Sequence, residues 1–580
     1  MHPKNWNLSL LIRYFIAIFL GIYSCCLYTS AKAANPVASA LNTVDPGLLG
    51  QQLSKAPIAL TGKQTGAALT KAPSEISAVP AGAEKISFLL RRVELTGNTI
   101  FSNAELEAIF KPYLNHTITL AKFFALTQAV TDKYQKAGYF LSKAIIPPQS
   151  IEGGKVKIQV LEGYIGHVKI EGLSPRQKEF LSRYANAILE DKPTTYRALE
   201  RNLLLLNDVD GMNGKAVIEP DPTQPLSAAL TLIVKYHPIQ AAALYDNYGT
   251  RYFGPYETTV YGSVNSAVIP GNTTYFRGVV TNNAKQLQFY ELRDTQVLGA
   301  SGLAAGADGY VAQTHPGFIL TPLDIDGRSV DANLFLTYPF IRSRARSLSM
   351  RTEFEYLDSS SFSFGDLLFR DRIRDLQVGA TYNDVLWKGS DQANLTLFQG
   401  FPILDAHNGG EFLSRAQGRN DFTKLLFSLS RDQTLPHHFS LYGLVLSQYS
   451  SVPLLAPEQF VFGGAYLGRG FDLSQFAGDE GVEGTLELRL NTAPNTSIFR
   501  RIQYYIFYDA GALSYLGTSP FGNSHQTATS AGFGLRIAVA PHINAEGFIA
   551  RPLTNRNATQ VILGENSQAI LGYFQLIAYF

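Results

Sequence analysis

No helical period survives past Pro238. The 343 residues from there to Phe580 are short alternating segments broken by Gly, Asn, Asp, Ser and Pro, and none approaches a long uninterrupted apolar run. Period-two alternation sends successive side chains to opposite faces of a strand. In Tyr504 to Asp509, Tyr504, Ile506 and Tyr508 face one way, and Tyr505, Phe507 and Asp509 the other. The last segment puts Ile570, Phe574, Leu576, Ala578 and Phe580 on one face. A chain that crosses a bilayer without apolar helices has to do so as a closed β-barrel, because open sheet edges would leave backbone polar groups unpaired in hydrocarbon. An outer-membrane strand of about 10 residues with its turn takes roughly 20. The region therefore predicts a transmembrane β-barrel of about 16 antiparallel strands. A soluble β-sandwich or propeller is the alternative, and the apolar face ending on Phe580 weighs against it.

Composition agrees with an apolar outer band. Only 17% of residues are charged, against about 25% in soluble chains, while Tyr and Phe number 30 and 36. An aromatic-rich secreted β-protein would show the same bias. A net charge of +2 argues against nucleic acid as the main partner. At the N-terminus Lys4 and Arg13 precede an apolar run from Tyr14 to Leu27, followed by Ala31-Lys32-Ala33. That order predicts a secretory signal peptide over residues 1–33, too short for a comfortable membrane helix; a lipoprotein signal at Cys25 is the rival, and the bulk of Tyr23 weighs against it. Cys25 and Cys26 fall within it, so the mature chain is expected to have no disulfide, zinc-thiolate site or cysteine nucleophile.

Residues 34–85, rich in Ala, Pro, Ser, Thr and Gly, read as a flexible segment. Leu48, Leu49 and Leu53 would allow a turn or two of amphipathic helix, a possible plug, but a plain linker is the expectation. Then texture appears. Arg92 to Thr96 alternates as a half-buried strand; Ser102 and Glu105 form a capping box ahead of Leu106, Ile109 and Phe110; and Pro112 is read as the stop. A second helix is predicted over Leu120–Ala137, with Phe123, Leu126, Val130 and Tyr134 on one stripe, followed by strands Tyr139–Ile146 and Lys155–Leu161. The order then repeats about 75 residues on: a strand at Val168 and Ile170, a capping box of Ser174 and Gln177 around Pro175, a helix over Leu199–Leu206, and strands near 215–219 and 228–234. Two small α+β units of β-α-α-β-β type are expected, at 86–163 and 164–237, ahead of the barrel at 238–580.

Here the chain resembles a known family, the two-partner secretion transporters of the FhaC/ShlB/HecB type, within the BamA-like barrels that carry POTRA domains. Gly138-Tyr139-Phe140-Leu141, Ala144 to Gln149, Gly154 to Ile158 and Glu162-Gly163 are similar to the family's GYxLxxAxIPPQ…GxVxIxVxEG pattern. Asp246 to Gly249 matches DNYG, and Tyr338-Pro339 with Ile341 to Arg344 matches YPxIRSR. Further along come Phe422-Thr423-Lys424, Leu429-Ser430-Arg431, Glu458-Gln459-Phe460 and Gly463-Gly464, in family order. Gly468-Arg469-Gly470-Phe471 resembles the VRGY/F loop tip that folds back into the barrel, with Gly468 in place of the usual Val and hence an expected looser turn. Phe507 and Asp509 match the F-x-D motif of an inward-facing strand, which the loop arginine contacts in relatives. A guanidinium fork fits a carboxylate, and an aspartate on a lipid face would be costly. Read without the family, Arg469 is an exposed turn residue and Asp509 a wet lumen carboxylate.

The resemblance implies two POTRA domains in the periplasm of a Gram-negative cell and a barrel in its outer membrane, exporting a secreted partner protein that bears an N-terminal secretion domain. It implies that Arg469 and Asp509 act as a conformational latch and that Pro147, Pro148 and Gln149 belong to a partner-docking region, where an extended segment adds to a sheet edge. Phe580 is read as the C-terminal signal for the barrel assembly machinery. No cofactor is implied, and no HExxH, P-loop, GxSxG elbow or dinucleotide fingerprint is present, so no catalytic residue, metal ligand or enzyme activity is expected. His437 and His438 read as a solvated turn. An assembly factor for other barrels is the alternative function; a passive porin would lack residues 85–237.

Overall fold

The computed structural model describes residues 44–55, 69–70, 79–221, 224, 226–494, 496, 498–517, 524–539, 542–554 and 569–580. The signal-peptide reading, with Cys25 and Cys26, lies outside the described residues.

In the first small unit Arg92–Thr96 runs parallel to Lys155–Leu161, which pairs antiparallel with Lys143–Ile145. Val93, Leu95, Val156, Ile158 and Val160 bury against Phe123, Leu126, Val130 and Tyr134 of the helix Leu120–Lys136. The alternation and the helical stripe read from the sequence are thus the two halves of one core. Two expectations are corrected, and one element is added. The capped helix is only Asn103–Glu107, and Pro112 sits in a 3-10 turn, Lys111–Tyr113, where its missing N–H costs nothing. The strand expected from Tyr139 shrinks to Lys143–Ile145, because Ser142 donates back to the Tyr139 carbonyl at 3.1 Å and holds a turn there. A two-stranded sheet, Ser87–Leu90 with His116–Thr119, was not anticipated.

The second unit has strand order Leu69–Thr70, Met212–Pro220, Ser227–Tyr236, Tyr164–Glu171. Helices Pro175–Leu189 and Tyr196–Asn207 cover the sheet and fill its core with Phe180, Leu181, Tyr184, Leu199, Leu203 and Leu206. The capping box of Ser174 and Gln177 forms, with Pro175 first in the helix. Leu69–Thr70 belongs to the segment expected to be flexible linker; it adds to the sheet edge in parallel, opposite Ala216 and Val217.

The barrel starts at Ile239 and closes after 16 antiparallel strands, the last, Leu571–Tyr579, pairing with the first, Ile239–Asp246. Its faces follow the alternation: Tyr504 and Ile506 are 49% and 58% exposed toward lipid, whereas Phe507 and Asp509 are 4% and 0% exposed inside. At the end nearest the small units, Arg342 grips Asp208 with two hydrogen bonds of 2.6 and 2.8 Å, and Arg201 donates to the Pro339 carbonyl at 2.9 Å. The segment matching YPxIRSR is therefore the joint between barrel and second unit.

The linker expectation for residues around Leu48 is also overturned. Pro46–Lys55 is a helix lodged in the lumen, with Leu48 and Leu49 buried and Asp45 capping its N-terminus through the Gly47 and Leu48 amides at 2.9 and 2.8 Å. Ten residues are too few to be a stable helix alone; the barrel wall supplies the apolar surface that a local reading of sequence cannot see.

Candidate functional site in the barrel lumen

Between strands Phe439–Ser450 and Glu480–Thr492 the chain folds back into the pore. A short hairpin, Phe460–Phe462 against Phe476–Gly478, stiffens this loop, and the buried rings of Phe462, Phe471 and Phe476 pack with centroids 5.1 to 6.1 Å apart. Asp479 anchors its root, accepting from Arg415 and from the Leu454 and Leu516 amides at 2.9 and 2.7 Å. Gly468 has φ +71°, and a Cβ there would lie 2.8 Å from the Gly463 nitrogen and 2.9 Å from the Phe462 ring. The turn is thus tight, and glycine is what permits it; the expected loosening is corrected. A Cβ on Gly470 would lie 2.7 Å from the Ser530 Cβ, so the tip is pressed on the wall.

That turn delivers Arg469, 2% exposed, to the strand Phe499–Ser514. Its Nε and Nη2 donate to the two oxygens of Asp509 at 3.0 and 2.7 Å, and its backbone N–H adds a third bond to the same carboxylate at 2.9 Å. Nη1 donates to Glu487 at 2.6 Å and Nη2 also to the Thr485 hydroxyl at 2.6 Å, while the guanidinium lies 3.5 Å from the centre of the Phe507 ring. The structure therefore brings Gly468, Arg469, Gly470, Phe471, Phe507 and Asp509 together. Only a planar cation with several donors satisfies two carboxylates, a hydroxyl and a ring face at once.

Glu487 was missed by sequence reasoning. It accepts from Arg469, from Arg489 at 2.7 Å and from Arg536 at 3.1 Å. Its signal was available: Thr485, Glu487 and Arg489 alternate on one face, and in register Thr485 sits opposite Asp509 and Glu487 opposite Phe507. A cavity of about 590 Å³ lies beside this network, bounded by Gln51 and Leu53 of the lumen helix, by Tyr466 and Arg469 of the loop, and by Glu483 and Glu487 of the wall.

Other expected positions lie elsewhere. Gln149 is turned inward on its own domain: its amide donates to the Lys157 carbonyl and accepts from the Lys157 N–H, both at 2.7 Å. It replaces a strand neighbour where Lys143–Ile145 has already left the sheet. Glu162 accepts from the Thr99 and Ile100 amides at 2.7 and 3.0 Å and from the Tyr134 hydroxyl at 2.7 Å. Partial burial would raise its pKa, but those hydrogen bonds outweigh it and hold the carboxyl below its ordinary value. Phe580 is 81% exposed, its amide bonded to the Ala241 carbonyl at 2.9 Å across the barrel seam. His437 and His438 form an exposed hairpin turn with φ +59° and +66°.

A POTRA domain of ShlB type matches residues 88–163, and the haemolysin secretion/activation protein ShlB/FhaC/HecB model matches residues 233–537. The chain belongs to the ShlB/FhaC/HecB family. Among curated relatives it is similar to the heme/hemopexin transporter protein HuxB of Haemophilus influenzae strain 86-028NP, 23% identical with 89% of this chain and 92% of that one covered. It is equally similar in identity, 23%, to the outer membrane transporter CdiB of Dickeya dadantii, over 69% of this chain and 72% of that one. Its fold resembles that of CdiB from Escherichia coli, with TM-score 0.70, 18% identity and 95% and 100% coverage. The fold of BamA from Haemophilus ducreyi lacking POTRA domains 1–3 is more distant, at TM-score 0.51, 12% identity and 85% and 100% coverage. The chain is thus an outer-membrane translocator of two-partner secretion with its POTRA region in the periplasm, and the assembly-factor alternative falls away. Members of this family are transporters, and they work with a secreted partner protein.

Proposed function

We propose that this transporter exports one large partner protein, bearing an N-terminal secretion domain, and that Arg469 latches the pore until that cargo arrives. The cargo is of the adhesin, haemolysin or haem-acquisition kind, in line with relatives named for heme/hemopexin transport. The observation that carries the reading is the buried Arg469 fork on Asp509 and Glu487. It fixes a loop that folds back into the lumen, yet no bond in it is covalent and its hydrogen-bond partners are all polar, so an entering polypeptide is able to replace it. Pro147, Pro148 and Gln149 lie beside the short edge strand Lys143–Ile145, and that edge is where an extended cargo segment would add. The barrel assembly machinery inserts the chain, reading the end at Phe580.

The test is to co-express a large candidate partner that bears an N-terminal secretion domain with wild type, with Arg469→Ala and with Asp509→Ala, and to assay the medium. Export by wild type and impaired export by both variants, each still inserted and heat-modifiable, is expected. Wild-type export from both variants would refute the latch, and cargo appearing in the medium without this chain would refute the transport reading.

A further inference from the structure

A second polar constellation in the lumen is left unused by the latch. Glu355 and Asp375 face each other directly in register on the strands Arg346–Ser363 and Asp366–Leu386, both pointing inward and 5% and 0% exposed. Like charges directly opposite on paired strands repel, and burial makes that worse. Glu458, 2% exposed, reaches the same point from the 3-10 turn Ala456–Glu458 at the root of the long loop. Carboxylate oxygens of the three lie within 4.8 Å of one another. Neither oxygen of Asp375 receives a hydrogen bond, although the side chain is wholly buried and aimed into the cluster.

Neighbouring side chains hold Glu355 and Glu458 in place. Lys424 pairs with Glu458, Gln377 donates to Glu355 at 2.7 Å, and Gln51 of the lumen helix donates to Glu355 and Glu458 at 3.2 and 3.0 Å. Asp375 is the member of the three that these groups leave without a hydrogen bond, and Glu458 also borders the lumen cavity. An all-oxygen donor set suits a hard divalent cation; among the described residues neither thiolate nor imidazole joins the cluster to select a softer one. The Gln51 amide, rotated to present its oxygen, would add a fourth ligand, since its present orientation is an assignment from hydrogen bonding.

We infer that Glu355, Asp375 and Glu458 bind one hard divalent cation, calcium or magnesium, which ties the root of the lumen loop to the barrel wall beside the plug helix. The ion joins three pieces that have to part when the pore opens: the barrel wall, the loop and, through Gln51, the helix. It therefore stabilises the closed state by differential binding.

The test is calorimetric titration of the full mature chain, purified in detergent and stripped with chelator, using calcium chloride and magnesium chloride in separate runs over a potassium chloride background. One saturable site per chain is expected for at least one of the two cations, with affinity at least tenfold weaker in D375N and in E355Q. The loop variant E458Q leaves both wall strands unaltered and is expected to weaken binding as well, so the site is still read if a strand variant fails to fold. Absence of saturable uptake by stripped wild type would overturn the inference, as would unchanged affinity in the folded variants. Stabilisation of wild type by acid alone, without cation uptake, would overturn it in favour of a proton shared by Glu355 and Asp375.

Discussion

At Arg469 the energetics turn on what happens when one partner is removed. Breaking a buried ion pair strands the other charge and costs about 3–5 kcal/mol, far more than the intact pair contributes. Asp509→Asn is therefore expected to release the loop while the barrel stays inserted, seen as faster protease cleavage between residues 463 and 475. Arg469→Lys keeps the charge but not the fork, so it should behave nearly as badly; cleavage at the wild-type rate would contradict this. Gly468→Val, the residue usual in the family, is expected to loosen the tip here, since φ +71° and a neighbour at 2.8 Å leave no room for a branched side chain. Glu162 behaves differently because it titrates. Its folded pKa lies below the unfolded value, so its contribution is complete above about pH 4.5 and is lost as pH falls through the folded value. Hydrogen exchange of the full chain is expected to show residues 93–100 opening selectively on that acid limb in wild type. Glu162→Gln should show the opening already at neutral pH, with a loss of roughly 1–2 kcal/mol; equal protection in the two proteins would remove Glu162 from its anchoring role.

At the scale of elements, the lumen helix is held by shape. A Cβ on Gly50 would lie 2.4 Å from the Tyr310 ring, and one on Gly47 2.7 Å from Pro457. Gly50→Leu should therefore drive the helix out of its seat and raise single-channel conductance in planar bilayers, whereas an unchanged conductance would mean that the helix does not block the pore. Such an element was barely legible in the sequence, because Leu48, Leu49 and Leu53 acquire a partner surface only once distant strands have closed around them. The barrel strands and the helix Leu120–Lys136 were legible for the opposite reason: their period is written locally and repeated. The short pair Ser87–Leu90 with His116–Thr119 escaped notice since four residues carry too little alternation to register. Arg469 and Asp509 were legible only through resemblance; Glu487 shows its face in the local alternation with Thr485 and Arg489, but its place opposite Phe507 exists only in the register that folding creates.

Across the whole molecule, the periplasmic region is coupled to the barrel by the Arg342–Asp208 pair and by Arg201 on the Pro339 and Ser301 carbonyls. Both side chains of the pair are partly solvated, at 25% and 31% exposure, so the pair orients the joint more than it stabilises it. Asp208→Ala is expected to broaden spin-label distances between the second POTRA unit and the barrel without shifting the melting temperature measurably; an unchanged distance distribution would show that the joint is set by backbone contacts alone. The strand Leu69–Thr70 has a consequence of its own. Fourteen peptide steps separate it from Lys55 at the end of the lumen helix, a reach of roughly 50 Å at full stretch. If cargo displaces the lumen helix, its chain connection to the periplasmic sheet would keep its concentration at the vacated seat on the order of millimolar. Recapping would then be a first-order process of the chain itself, indifferent to how many other transporters share the membrane.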